Sequence, residues 1–242
     1  MYLLDQKGLE IINLVYEFII IDDRIMIRND NLTKELINYC GNIGIDLVGF
    51  ANPEFFDKYR LDNRPHAFLE NPKSIVIVGL HLYDLLLDAW SKDENKNVNY
   101  HYADSILVNQ CHKIKNFLAK NSFKSKIIPY KPGLFLKEAA ALAGIGPIGK
   151  NNLLITAKYG SQVRLRALAT EAPLLKGNPT YESTYCIDCD ICVEACPANA
   201  FSEGKYNKDA CLAYCLANLK KLSDNTVVWC NICIESCPIG KD

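Results

Sequence analysis

The chain has 242 residues, 49% of them hydrophobic, and a formal net charge of −1. That supplies the core of one large domain, or of one domain with a small module, and excludes a generally basic nucleic-acid binder. No stretch is long and apolar enough to span a bilayer: residues 14–21 are apolar but short, and Glu17 interrupts them. With no secretory signal and no twin-arginine pair, the expectation is a cytoplasmic protein with no membrane partner.

In chain order, residues 1–30 read as a helix with a short apolar continuation. Asn31 or Thr33 caps a second helix to about Cys40, with Leu32, Leu36, Ile37 and Cys40 on one side, ended by Gly41 and Gly44. Residues 45–50 and 74–82 read as strands. In the second, Ile75, Val76, Ile77 and Val78 form a β-branched run of the kind buried on both faces. The polar stretch 91–99 reads as a loop. Leu107, Cys111, Ile114 and Leu118 set a helical spacing over 101–121. A short strand over 126–130, an Ala-rich helix over 134–143, and strands over 153–156 and 161–170 follow. A last helix is expected over 208–221. The fold class is α/β (α+β), a mixed or antiparallel sheet of about five strands with helices. The expected division is an α/β domain at 1–174 and a cluster module at 175–242.

Charge follows that division. Residues 180–242 carry five Lys, no Arg and nine acidic groups, a balance of −4, which leaves +3 on residues 1–179. Cysteine follows it too. Cys186, Cys189, Cys192 and Cys196 are spaced C-x2-C-x2-C-x3-C before Pro197. Cys211 stands alone, and Cys230, Cys233 and Cys237 precede Pro238. Zinc sites use separated C-x2-C pairs. Three thiols two apart, each group closed by Cys-Pro, are the ferredoxin pattern for two 4Fe–4S clusters, in which the fourth Cys of each run serves the other cluster. One cluster then takes Cys186, Cys189, Cys192 and Cys237. The other takes Cys196, Cys230, Cys233 and either Cys211 or Cys215, which share a helix face. Cys40 and Cys111 sit in apolar helical patterns and read as core residues. The sulfur donors point to one-electron chemistry.

Gly144-Ile-Gly146-Pro-Ile-Gly149-Lys150-Asn151 spells both G-x-G-x-x-G and G-x4-G-K. A nucleotide-binding loop follows a strand and opens a helix. Here a helix precedes and a strand follows, and Asn151 stands where a P-loop needs Ser or Thr. What remains is a rigid turn of small residues. Either backbone approaches something large and flat there, or the glycines make a tight helix-to-strand connection.

The stretch LKEAAALAGIGPIGKNNLLITAKYGSQVRLRALAT resembles the core signature of epoxyqueuosine reductases and related reductive dehalogenases. Gly44–Gly49, Asn71–Gly79, the Tyr100-His101 pair and the two-cluster tail resemble further pieces in the same order, over about residues 32–240. Cys211-Leu-Ala-Tyr214 matches the family's lone cysteine, which selects Cys211 over Cys215. The resemblance implies a nitroreductase-like α/β domain that holds cobalamin base-off. A cluster then feeds electrons from an outside ferredoxin or flavodoxin, and the substrate is a small molecule or a modified nucleoside. It also implies a cofactor wall at Gly144, Gly146, Gly149, Lys150 and Ser161.

The chain departs from the family at the proton donor, where Tyr130 stands in place of an Asp. A phenol is a competent acid when a cation favours its phenolate, and Lys131 or Lys150 is the expected cation. The chain also stops at Asp242 without the helical-repeat tail of many relatives. Residues 113–137 hold seven Lys and no acid, which suits tRNA phosphates or, more ordinarily, a solvated face. An electron-transfer protein that serves a partner, without substrate chemistry of its own, is the rival reading.

Overall fold

The computed structural model describes residues 30–93, 98–202 and 204–241. The helix expected within 1–30 lies outside them, apart from residue 30. Helix α1 covers 30–42 and runs through Gly41; the chain leaves it at Gly44, where φ is +82°. Leu32, Leu36 and Cys40 are buried, but Ile37 is 43% exposed, a correction to the expected apolar side.

Strands β1 (Leu47–Ala51), β2 (Ser74–His81), β5 (Ser125–Ile127) and β6 (Val163–Thr170) form one sheet in the order β1-β2-β6-β5, antiparallel throughout. Its two faces explain the apolar run of β2. Val76 and Val78 pack with Phe50 and Leu168 under α1 and under α3 (Tyr102–Lys120). Ile75 and Ile77 pack with Ala167 and Ala169 under α4 (Leu136–Leu142). Strand residues alternate faces, so a strand covered on both sides must be apolar at every position. Ala139 and Ala140 of α4 meet Ala167 and Ala169 of β6, and small residues on both sides let helix and sheet approach closely.

The described residues of the segment 91–99 are strand, not loop. Strands β3 (Trp90–Asp93) and β4 (Val98–His101) pair as a hairpin, and the short helix α2 (Leu85–Asp88) precedes it. Its polar sequence hid it because β4 is an edge strand and β3 is held by a strand far along the chain. A second sheet, in the order β4-β3-β10-β9, joins this hairpin to β9 (Lys220–Lys221) and β10 (Thr226–Val228). Sheet pairing thus crosses position 174. The expected strand at 153–156 is a pair of tight turns held by isolated bridges Ile148–Leu154 and Thr156–Gly160. The helix expected over 208–221 is α6 (Lys208–Ala217), because its last residues pair as β9. Strands β7 (Phe201–Ser202) and β8 (Lys205–Tyr206) and helices α5 (Ile191–Glu194) and α7 (Ile232–Glu235) complete the C-terminal region. No helix among the described residues is long and apolar enough to cross a membrane.

Candidate functional site

The two cysteine runs fold alike: a loop carries the first thiols, a one-turn helix (α5 or α7) follows, and a Cys-Pro ends it. The two helices pack on each other. This arrangement brings thiols of the two runs together. Cys186, Cys189 and Cys192 of the first run and Cys237 of the second line one pocket, walled by Asn151, Ile155, Tyr185, Pro238 and Ile239. The remaining thiols gather separately. Burial pushes the Cys233 thiol up to about 12, and Cys230, Cys211, Cys192 and Cys196 add to the effect as near neighbours. Cys215 is raised to about 11 by burial and by Cys211, against the backbone N–H that Cys230 donates to it. Cys211 also bonds the Tyr206 hydroxyl. Among the described residues no three His, Cys, Asp or Glu side chains close on a single-ion site; the four thiols of the first set surround a pocket. Burial alone accounts for most of the rise of Cys40 and Cys111 to about 12. Both are fully buried among core residues, as their apolar surroundings in sequence implied.

The glycine turn lies against this pocket. A Cβ on Gly146 would sit 2.1 Å from the Ile155 carbonyl oxygen, and one on Gly149 would sit 2.6 Å from the Ile155 side chain. A Cβ on Gly144, where φ is +75°, would sit 2.6 Å from Asn178 O. The small residues therefore bring the chain close to itself. The turn seats Ile155 and Asn151 at the thiol pocket. Asn151, 3% exposed, accepts from Leu153 N at 3.1 Å and donates toward Ser161 Oγ at 3.2 Å and Cys233 O at 3.5 Å. Lys150 pairs with Asp190 of the first cysteine loop at 2.7 Å, which raises its pKa, and reaches Ile187 O at 3.5 Å.

Tyr130 lies past β5, after Ile128 N donates to Ala167 O at 3.0 Å, and is 45% exposed. A cation from β6 stands beside it. The Arg166 guanidinium lies 4.3 Å from the Tyr130 ring centroid. Arg166 is held in turn by Asp104, with Nη2 donating to Oδ2 at 2.7 Å and Nε 2.6 Å from Oδ1. Arg164 pairs with Asp88. Burial lowers the Arg164 pKa, but Asp88, Tyr130 and Asp104 outweigh burial and leave it raised. Its Nε is buried without a hydrogen-bond partner. Sequence reading missed this pair although the signal was present: two Arg at alternate positions of a strand that is otherwise apolar.

Asp88 also lines a cleft of about 190 Å³ between the α/β domain and the module, with Leu82, Tyr83, Gln162, Asn231, Ile234 and Glu235. Nearby, Trp90 stacks on Trp229 with centroids 5.5 Å apart, directly before Cys230, and His101 lies 5.9 Å from Trp90.

A three-layer α/β domain joined to a module with two crossed thiol sets defines an iron–sulfur protein, and the 4Fe-4S binding domain family matches residues 179–202. The epoxyqueuosine reductase of Listeria monocytogenes is 30% identical over 217 residues, covering 76% of this chain and 56% of that protein. The tetrachloroethene reductive dehalogenase of Dehalobacter restrictus is 28% identical over 181 residues, covering 74% of this chain and 31% of that one. In fold, the solved epoxyqueuosine reductase from Streptococcus thermophilus superposes with a TM-score of 0.68 at 21% identity, over 88% of this chain and 67% of that one. The chain is similar to the epoxyqueuosine reductases and reductive dehalogenases, and spans about half the length of the epoxyqueuosine reductase it matches, 56% for that of Listeria monocytogenes.

Proposed function

We propose that this chain is a reductase in which two 4Fe–4S clusters supply electrons to a corrinoid of the cobalamin type, bound beside Tyr130. The observation that carries the reading is the half-exposed Tyr130 ring against the Arg166 guanidinium, with Arg164 behind it. Residues 1–174 would form the substrate-side domain and 175–242 the electron-input module. Cys186, Cys189, Cys192 and Cys237 would hold one cluster. Cys196, Cys211, Cys230 and Cys233 would hold the other, Cys211 being preferred to Cys215 because it adjoins Cys233.

The residues present fit the two groups differently. Soft thiols that ring a pocket suit a cluster. On the corrinoid side, the partnerless Arg164 Nε and the exposed phenol suit a polar, reducible group at β6. Gly144, Gly146, Gly149, Lys150 and Ser161 serve the cofactors by holding Asn151 and Ile155 at the cluster pocket.

Clusters and corrinoid, when bound, supply one-electron transfer and low-valent metal reduction respectively. The work of this chain is then orientation and protons. Tyr130 holds the proton at its phenol oxygen, with the Arg166 guanidinium against its ring and Arg164 beside it. Asp104 and Asp88 fix those guanidiniums. The substrate class is a small molecule or a modified nucleoside. A solved relative was captured as an epoxyqueuosine reductase with an epoxyqueuosine-modified tRNA stem loop, and tRNA is the less favoured partner for this chain because Tyr130 replaces the family Asp.

Anaerobic titration of cob(II)alamin into iron-loaded protein, read by electron paramagnetic resonance, tests the reading. A base-off cobalt signal is expected, and Tyr130→Phe should lose about a hundredfold or more in turnover while still binding cobalamin. No change in the cobalt signal would sink the corrinoid. A second reading is then favoured by the glycine turn, which is filled by its own chain: an electron-transfer protein that reduces a partner and is indifferent to Tyr130→Phe.

A further inference from the structure

Tyr130 stands on a short closed loop that the chain fastens from behind. Before the loop, Ile128 N donates to Ala167 O of β6; after it, Leu134 is buried. Between them the backbone turns back on itself. A Cβ on Gly133 would sit 2.0 Å from the Pro129 carbonyl oxygen, so only glycine closes the loop this tightly. Tyr130, Lys131 and Pro132 are exposed, whereas Gly133 is buried. The Gly133 carbonyl faces the segment before β2, where Asn63 Nδ2 donates to it at 2.5 Å across 70 positions. Asn63 ends a one-turn helix, Leu61–Asn63, none of whose residues is buried. Apolar packing therefore does not explain its place. Polar contacts do: Arg64 Nε donates to Tyr59 O at 2.7 Å, and Arg64 lies 4.0 Å from Asp57. Tyr59 has the rings of Phe56 and Phe135 at 6.0 and 5.3 Å, and its hydroxyl donates to Glu138 in the first turn of α4. Burial, and then Glu138, push the Tyr59 phenol up, so it stays a donor. The segment 56–64 thus grips the end of the Tyr130 loop at two points, Gly133 and Phe135.

We propose that Asn63 is a positioning residue for Tyr130: its amide ties down Gly133 and so holds the Tyr130 ring against the Arg166 guanidinium. The inference rests on the reading of Tyr130 as the proton donor. A half-exposed ring on a surface loop has many other places to go, and a single ring–cation contact is a weak restraint. The tie at Gly133 supplies a second restraint, and the closed loop carries it to Tyr130 three positions earlier. A neutral amide suits the task. Its NH2 group donates to a carbonyl, whereas the carboxylate of an Asp in the same place has only acceptors to offer. Asn63 acts through the loop backbone, not at the phenol, so its removal should displace Tyr130 without altering the chemistry of the phenol itself. Nothing in the local sequence announces this: Asn63 lies in a polar stretch, Arg60-Leu-Asp-Asn-Arg64, that reads as an ordinary turn.

The test uses the full, iron-loaded chain with fluorotyrosine placed at position 130 alone, read by fluorine NMR under anaerobic conditions, with hydrogen exchange measured in parallel. Arg166→Gln supplies the reference signal of a ring that has lost its guanidinium. Asn63→Ala should move the resonance toward that reference or split it. Amides within 130–134 should exchange at least ~5-fold faster, as expected for one lost hydrogen bond, while β2 and β6 keep their protection. Asn63→Gln, which keeps the donor on a longer arm, should retain more of the wild-type signal than Asn63→Ala. An unchanged resonance overturns the proposal, even if exchange quickens, because Asn63 would then stabilise the loop without placing the ring. Equal losses in Asn63→Gln and Asn63→Ala also overturn it. Should Asn63→Ala fail to fold, Asn63→Asp, which fills the same space without the donor, decides by the same two readouts. Neither readout needs a substrate or a corrinoid. Full turnover in Tyr130→Phe would therefore bring down the proton-donor reading, whereas a still fluorine signal in the Asn63 variants brings down this one.

Discussion

Strand β2 of the α/β domain buries seven of its eight residues, all but His81. In residues 180–241 the buried apolar side chains are Cys192, Cys196, Ala200, Cys215, Val228 and Cys237, four of them thiols, and the strands are two or three residues long. Apolar burial stabilises the first region without help. The second has too little carbon to bury and depends on what its thiols bind, as small modules commonly do. The two regions therefore differ in which perturbations they should survive.

Removing the iron should have the largest effect. Chelation should strip amide protection from 180–241, including β10, while β2 and β6 stay protected in hydrogen exchange. Protection that persists across the module in iron-free protein would break the comparison. In the other direction, Leu168→Ala should destabilise the α/β domain by about 3–4 kcal/mol in denaturant unfolding, with iron per folded chain unchanged. Arg166→Gln should cost about 3 kcal/mol, because it strands the largely buried Asp104 carboxylate. Adding Asp104→Asn should recover part of that loss. At the seam, Trp90→Leu should lower the module's melting with a cost of about 1 kcal/mol from the lost ring pair.

The smallest effect is one of pH. Burial, and then Arg164, hold the His101 imidazole below its ordinary value of 6.5, against the pull of Asp104 and Asp88. The unfolded chain then binds more protons than the folded one in this range. The stability from neutral His101 is present above about 6.5 and fades as pH falls below it. Melting temperature should decline from pH 7 to 5.5, and His101→Gln should flatten that slope.

Much of this was legible in the chain. Local covalent spacing fixed the cysteine runs, and the uninterrupted apolar stretch of β2 announced a strand covered on both faces. Readings failed where stability came from a distant partner. The hairpin at 90–101 carries little apolar pattern, and Ser91 is fastened by Thr226 at 2.8 Å, 135 residues away. Lys220 and Lys221 continued a helical pattern, but β10 took them as a strand. The expected cation at Tyr130 was sought among sequence neighbours; Arg166, 36 positions further on, lies over its ring.

The sequence by itself determined the ligand chemistry and the layered α/β plan, because thiol spacing and apolar periodicity act over a few residues. Only the tertiary structure decided that the glycine turn approaches its own chain, that two arginines flank Tyr130, and that Asn151 reaches from the glycine turn to Cys233. Each of those depends on side chains that sheet pairing and helix docking bring together from far apart in the chain, and no local pattern encodes such distances.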